Sequence, residues 1–228
     1  MDESAGLRVL MLLENCPYPQ DVRVRHEAGA LAAAGHRVTV IGPAAQGQPR
    51  REVVNGVRVY RFPAASARGG LVGYLWEYGW SLVLIGVLSV VVAVREGFDV
   101  VHAHNPPDLL ALIAGFWRLL GRRFVYDQHD LCPEMYDARY GAGARPSVRR
   151  ALSVSERLAY RLADRVIVTN ESYRAVALAR GRVPPERITI VRNGPDPDRW
   201  RPVPPDPGEH RDGKTLIGYA GVLGAQDG

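Results

Sequence analysis

The stretch VYDQHDLCPEMY, residues 125–136, places Asp127, His129, Asp130 and Glu134 within eight positions at the end of a short apolar run. Upstream, His102 and His104 alternate in FDVVHAH, so they share one face of a strand, and Asn105 follows directly. Imidazoles and carboxylates gathered at strand ends can move protons, donate to hydroxyls, support developing charge or ligate a metal. An H-x-H pair lacking a defined third ligand is a weak zinc signal even with His129 in the sequence, and no metal is expected. Asp127 fits either a turn cap or a site residue. Glu134, after Pro133, fits first-turn helix chemistry, and Cys132 fits inert packing. His129 lies at the end of the run and not within it, which makes it the strongest functional candidate.

A second polar loop follows the first apolar run. ENCPYPQDVRVRHEAGAL carries Asn15, Asp21, Arg23 and Arg25, and its two prolines hold the loop extended. Asp21 and Arg23 suit a rigid recognition loop at a crevice mouth, or simply solvated charges at a helix start. No GxGxxG follows the first strand, and there is no Walker loop, G-x-S-x-G elbow or HExxH.

The elements that must position these groups alternate in period. LRVLMLL (7–13), HRVTVIG (36–42), VRVYRF (57–62), FDVVHAH, RRFVYD, DRVIVT and ERITIV have strand character, seven in all, with Asn55-Gly56 marking a turn. Between them, VRHEAGALAAAG has Ala28, Leu31 and Ala32 at helical spacing and ends at Gly35, placed as a C′ residue. NPPDLLALIAGFWRLLG predicts a helix with Asn105 as N-cap and Pro106 first in the helix, and SVRRALSVSERLAYRLA predicts another. Alternation of strand and helix implies a Rossmann-like, doubly wound, mostly parallel α/β sheet. Ligands of such sheets sit beyond the carboxyl ends of the strands where strand order reverses. If the first strand lies beside FDVVHAH at that reversal, loops beginning at Glu14-Asn15, His104-Asn105 and Gln128-His129-Asp130 converge.

The chain has 228 residues and net charge +5, with Lys214 its only lysine. Ten arginines fall between Arg139 and Arg182, against Asp137, Glu156, Asp164 and Glu171, enough for a basic face toward phosphates or anionic lipid. Cys16 and Cys132 form no CxxC, so neither a disulfide framework nor a four-thiolate zinc site is indicated. The opening apolar run is too short for a secretory signal, and the cytoplasm is the expected compartment. YGWSLVLIGVLSVVVAV (78–94) is uncharged for seventeen residues, just under the length that crosses a bilayer. It is expected as a helix buried on the sheet, with Gly79, Ser81, Gly86 and Ser89 allowing close packing; a membrane span, and membrane contact by this or the arginine-rich segment, are the alternatives. Six prolines in 193–214 predict a linker, and TLIGYAGVLGAQDG predicts a strand entering a glycine-rich turn.

FDVVHAHNPPDLLAL, FVYDQHDLCPEMY, DRVIVTNESY and ITIVRNGPDPDRW, in this order and spacing, resemble the N-terminal half of family 4 glycosyltransferases, which have the GT-B fold. The resemblance runs over essentially the whole chain. It implies two Rossmann-like domains facing across a cleft, one for the acceptor and one for a nucleotide-sugar donor, with retaining, metal-independent transfer to an acceptor hydroxyl. Residues 1–192 would be the acceptor-side domain, 193–214 the linker and 215–228 the start of the donor domain, so the chain would be half an enzyme, inactive alone. His129 matches the family histidine that contacts the donor sugar near the reacting centre. Asn193 and Gly194 match the turn at the domain junction, and Gly221 lies where a glycine-rich turn lets a diphosphate approach. Asn15, Asp21, Arg23, His104, Asn105 and Asp130 complete the expected donor- and acceptor-binding set.

Some positions depart from the family pattern. PYPQD stands where many members have a glycine pair, Val222 and Asp227 stand where many have arginine and lysine, and the Glu-x7-Glu pair is absent. No cofactor is expected, because the nucleotide-sugar is a substrate. The expected partners are that donor, a sugar or lipid-linked acceptor and an anionic membrane surface, with no nucleic acid. Cell-surface polysaccharide or glycolipid synthesis on the inner face of the membrane is the expected setting. A nucleotide-sugar epimerase of the same fold and a non-catalytic, membrane-associated binding module are the alternatives.

Overall fold

The computed structural model describes residues 6–65 and 70–194, together with residues 201, 204 and 218. Most of the expected linker, and the expected donor-domain start with Gly221, Val222 and Asp227, lie outside the described residues.

Continuous apolar runs become strands buried on both faces. In β1 (Arg8–Leu12), Leu10 and Leu12 join one core while Val9 and Met11 join the other. On one side of β1 lie β2 (Arg37–Pro43), β4 (Val57–Phe62) and β3 (Arg51–Val54). On the other lie β5 (Val100–His104), β6 (Arg123–Gln128), β7 (Arg165–Val168) and β8 (Ile188–Ile190). The order is β3-β4-β2-β1-β5-β6-β7-β8, parallel throughout except for the β3–β4 pair. β1 pairs with both β2 and β5, so the order reverses at β1 and the three polar loops do converge.

Strand β3 is an eighth strand beyond the seven expected. Its four residues, Arg-Glu-Val-Val, are half exposed at the sheet edge and carry no apolar pattern that marks a buried strand. Asn55 and Gly56, with φ of 49° and 81°, close its hairpin to β4 in the left-handed turn that a tight hairpin prefers.

Helix α1 (Val22–Ala33) covers one face, against Met11, Val40 and Val59. It ends as expected: Ala34 is the C-cap, and Gly35 follows at φ 87° with its N–H on the Ala32 carbonyl. The opposite face carries α2 (Gly70–Arg95), α3 (Leu110–Leu119), α5 (Pro146–Leu162) and α6 (Glu171–Ala179) over the larger core. α4 (Cys132–Tyr140) sits above β6 and packs on α5.

Two expected features change. α3 begins at Leu110, capped by Leu109 without a side-chain bond, so Asn105 is not its N-cap and Pro106 is not its first residue. The Asn105 amide is bound elsewhere, to the β6 loop. In α2 only part of the helix is buried. Ser81, Ile85, Ser89 and Val92 face the core, each at most 2% exposed, and Ile85 and Val92 each contribute about 1.5–3 kcal/mol by burial. Gly79 and Gly86 make no close packing, for a Cβ on either would meet nothing within 4 Å.

Gly181, after α6, is tightly enclosed: a Cβ there would lie 2.7 Å from the Ala177 carbonyl oxygen and 2.6 Å from the Tyr160 ring. Gly181→Ala is expected to lower unfolding stability by about 1–3 kcal/mol in urea titration. Gly143→Ala, with nothing within 4 Å, serves as the unaffected comparison.

Candidate functional site

Asp127, next to last in β6, has no exposed surface and lies opposite His104 of β5. Its Oδ2 lies 3.2 Å from His102 Nε2, 3.0 Å from His104 Nδ1 and 3.0 Å from His129 Nε2. Only the His102 contact has full hydrogen-bond geometry. Strand alternation puts His102 and His104 on the α1 face, where their rings stack with centroids 4.2 Å apart. Burial acts to raise the Asp127 pKa, but the three imidazoles outweigh it and hold the carboxyl well below its usual range. His104 is pushed down to about 4 by burial, then by His102. Glu27, on α1, is pushed up to about 9 by burial, then by Asp127. The centre therefore holds an ionised Asp127 facing a protonated Glu27.

The side-chain ligand atoms of Glu27, His102, His104 and Asp127 all lie within 4.8 Å of one another. Two imidazoles and two carboxylates are a donor set that could hold a zinc-like divalent cation.

Asn105 fastens the β5 loop to the β6 loop. Its Oδ1 accepts from the backbone N–H of His129 at 2.7 Å and of Asp130 at 3.0 Å. Its Nδ2 donates to the Asp130 carbonyl at 2.7 Å and to Asp108 Oδ1 at 2.9 Å. Asp108 also accepts from the Tyr126 hydroxyl, so the turn before α3 is tied to β6. Burial, then Asp108, pushes the Cys132 thiol well up and keeps it protonated, in line with a packing role.

The β1 loop closes the third side. Asp21 is the N-cap of α1, accepting from Arg23 N at 3.1 Å and Val24 N at 3.3 Å. Burial works to raise its pKa, yet its bonds to Arg23 and Val24 leave it lowered. Arg23 pairs with Asp21 at 3.1 Å. Burial opposes the Arg23 charge, but Asp21, then Asp130 and Asp127, raise its pKa. Asn15, in the loop after β1, is exposed, and Asp130 is half-buried.

Arg23, His104, Asn105, His129 and Asp130 thus gather at the carboxyl ends of β5 and β6 and the start of α1. Asp21 is the α1 cap, and Asn15 stands in the loop after β1. His129 is not an open lip residue: it is 5% exposed, because Asn105 draws its backbone inward. Neither ring nitrogen of His129 has a hydrogen-bond partner of proper geometry. Asn193 and Gly194 follow β8, three strands from β5 and so about 14 Å away by strand spacing alone. Gly221 lies outside the described residues.

Two groups escaped the sequence reading. Glu27 was discoverable, since it stands four residues after Arg23 on the same face of α1. The second group is Glu156, fully buried, which Arg180 holds at 2.6 Å while also binding Glu134 at 2.6 Å. Gln128 donates to Glu156, and Tyr160 donates to Gln128, so β6, α4 and α5 are joined behind the crevice. A lone Glu on an arginine-rich helix gives no sequence signal of burial.

A family model described as a glycosyl transferase 4-like domain matches residues 20–194. The chain belongs to this family. No curated protein sequence matches it. Among solved structures, sucrose-phosphate synthase from Thermosynechococcus elongatus is similar with TM-score 0.66 at 18% identity, over 86% of this chain and 50% of that one. The catalytic domain of starch synthase IV from Arabidopsis thaliana, bound to ADP and acarbose, gives 0.57 at 15% identity, over 87% and 54%. Phytolacca americana UGT2, complexed with UDP-2-fluoro-glucose and pterostilbene, gives 0.57 at 12% identity, over 84% and 55%. These likenesses establish the fold, that of the GT-B glycosyltransferases. The chain spans about half the length of the structures it matches.

Glu14, at the end of the β1 region, accepts from Ser81 of α2 at 2.9 Å. Burial raises its pKa from 4.5 to about 7, with the Ser81 bond opposing. Between those values the unfolded chain has lost the proton and the folded chain keeps it, so stability falls as pH rises through that window. Glu14→Gln, which does not titrate, is expected to gain on the unsubstituted protein from pH 4.5 to 7 and then level off. The gain is at most about 3 kcal/mol. Urea titrations at a series of pH values measure it, and a constant difference across the window contradicts the buried-carboxyl assignment.

Proposed function

We propose that this member of the 4-like glycosyltransferase family is the acceptor-side half of a retaining enzyme. It moves a sugar from a nucleotide-sugar to an acceptor hydroxyl in cell-surface polysaccharide or glycolipid synthesis, on the cytoplasmic side of the membrane. In the step, the bond from the anomeric carbon to the diphosphate oxygen breaks. The acceptor oxygen bonds to that carbon on the same face, its proton leaves, and the nucleoside diphosphate departs. The observation that carries this reading is His129, a buried imidazole whose Nε2 faces Asp127 at 3.0 Å while its Nδ1 has no partner, in a chain whose family model spans residues 20–194. A sugar hydroxyl offers such a ring the partner it lacks.

Asn15, Arg23 and Asp130 suit contacts to donor or acceptor hydroxyls, while Asn105 and Asp21 hold the loops that present them. His104 supports the same centre through Asp127. Asn193, Gly194 and Gly221 are assigned to the junction and to the diphosphate by family resemblance. Substrates held between two domains require both, since orientation supplies roughly 7–11 kcal/mol of barrier reduction. Residues 1–228 without a nucleotide-binding partner domain would therefore not turn over. The bound ADP and UDP-sugar of the starch synthase and UGT2 structures are in keeping with a nucleotide-sugar donor.

In the two-domain enzyme, His129→Ala is expected to lower kcat with little change in donor KM. Loss of one hydrogen bond of about 1–3 kcal/mol slows turnover about ten- to a hundredfold. Melting temperature on the same variant separates this from misfolding, and an unchanged kcat removes His129 from the site.

Transfer also proceeds without a metal. The imidazoles 3.0–3.2 Å from Asp127 give its charge partners from the protein itself, which supports this reading. Protein purified without a histidine tag is expected to contain far less than one zinc per chain by elemental analysis. Stoichiometric zinc, manganese or iron bound to Glu27, His102, His104 and Asp127 overturns the metal-free reading.

A further inference from the structure

Helix α2 presents an apolar face that nothing among the described residues covers. Its inward positions, Ser81, Ile85, Ser89 and Val92, are at most 2% exposed. Its outward positions, Trp76, Val83, Val87, Val90 and Val94, recur at helical spacing and are 49–83% exposed. At about 1.5 Å per residue the helix runs roughly 39 Å. Because one side of it belongs to the protein core, it cannot span a bilayer without tearing the fold open. It can only lie along a surface.

The neighbouring helix extends the same face. α3 packs beside α2 over the same core and exposes Leu112, Phe116 and Leu119. Between the two helices runs a shallow groove of 310 Å³, lined by apolar residues such as Leu82, Val90 and Phe116 with Ser89 the single hydroxyl. Such a contiguous apolar expanse on a folded domain marks an interaction surface.

The next helix in the layer supplies charge. α5 packs on α3, closely enough that Leu162 lies 2.8 Å from where a Gly115 Cβ would stand. It buries Glu156, Ala159 and Tyr160 and turns Arg150, Arg157 and Arg161 outward. None of these three makes an ion pair among the described residues. Arg157 and Arg161 join Arg180 and Arg182 in lining a pocket of 570 Å³. Near the other end of the layer, Arg139 lies 5.8 Å from the Tyr74 ring centroid on α2, and Trp76 stacks on Trp80. Apolar helices, paired aromatic rings and uncompensated arginines on one face match the two layers of a lipid surface: acyl chains and anionic headgroups.

We propose that the α2–α3–α5 face docks in the plane of an anionic bilayer, with α2 and α3 entering the acyl boundary and the α5 arginines meeting headgroup phosphates. None of these side chains takes part in the crevice, so docking and sugar transfer are separable.

The test is co-sedimentation of the full chain with vesicles. Equimolar phosphatidylcholine and phosphatidylglycerol vesicles are expected to bind it about tenfold or more tightly than phosphatidylcholine alone. Val83 and Val87 are 63% and 56% exposed, so a V83D/V87D variant should keep its circular-dichroism melting curve. It is expected to lose vesicle binding about tenfold or more. An R157E/R161E variant should lose the preference for anionic lipid. Binding to neither vesicle overturns the proposal, as does full binding by V83D/V87D. A stable dimer by light scattering that V83D/V87D dissociates, without vesicle binding, also overturns it and assigns the face to a second copy of the chain.

Discussion

A carboxylate with no exposed surface, kept ionised near the end of β6, is the constraint on which the crevice depends. An isolated buried charge is costly, and it persists only where donors converge on it. Asp127 meets that condition through three imidazoles 3.0–3.2 Å away, two from one face of β5 and one from its own loop. The requirement explains the alternation of His102 and His104, since only every second residue of β5 faces α1. Burial, then the Asp127 charge beside it, keeps Glu27 protonated.

Asn105 performs the backbone counterpart of this role. One side-chain amide bonds both N–H groups and one carbonyl of the β6 loop and reaches the Asp108 carboxylate, so the strands are joined at their ends as well as along their length. Behind them, the Glu156–Arg180 pair and Gln128 fix α4 and α5 to the same strand end. The site is therefore held from both faces of the sheet. The helix layer that supports it is unequal in its outward chemistry, apolar over α2 and α3 and basic over α5. That asymmetry runs along one side of the molecule, away from the α1 face where the histidines lie.

Much of this was legible in the residues. The seven expected strands form, β1 lies beside β5 at the reversal, and the three loops meet where the alternating histidines and the DQHD run predict. What escaped detection has physical causes. β3 is a short charged edge whose pairing comes from the turn at Asn55-Gly56 and not from apolar pattern. Asn105 before two prolines has the chemistry of a helix cap, and only tertiary structure shows its amide engaged with another strand. His129 looked like a lip residue because its burial arises from that long-range bond. The outer stripe of α2 is more apolar than the inner one, which carries Ser81 and Ser89, so composition alone could not tell the covered side from the open one.

The central claim is that the buried Asp127 charge, satisfied by imidazoles, organises the crevice. Equilibrium urea unfolding of Asp127→Asn beside the unsubstituted protein at neutral pH tests it most directly. The substitution keeps the volume, removes the charge and leaves the imidazoles a neutral amide in place of a carboxylate. A loss of about 3–5 kcal/mol is the predicted result, the size expected when one partner of a buried charged cluster is removed. Stability within about 1 kcal/mol of the unsubstituted protein, the range of an ordinary surface change, would contradict it.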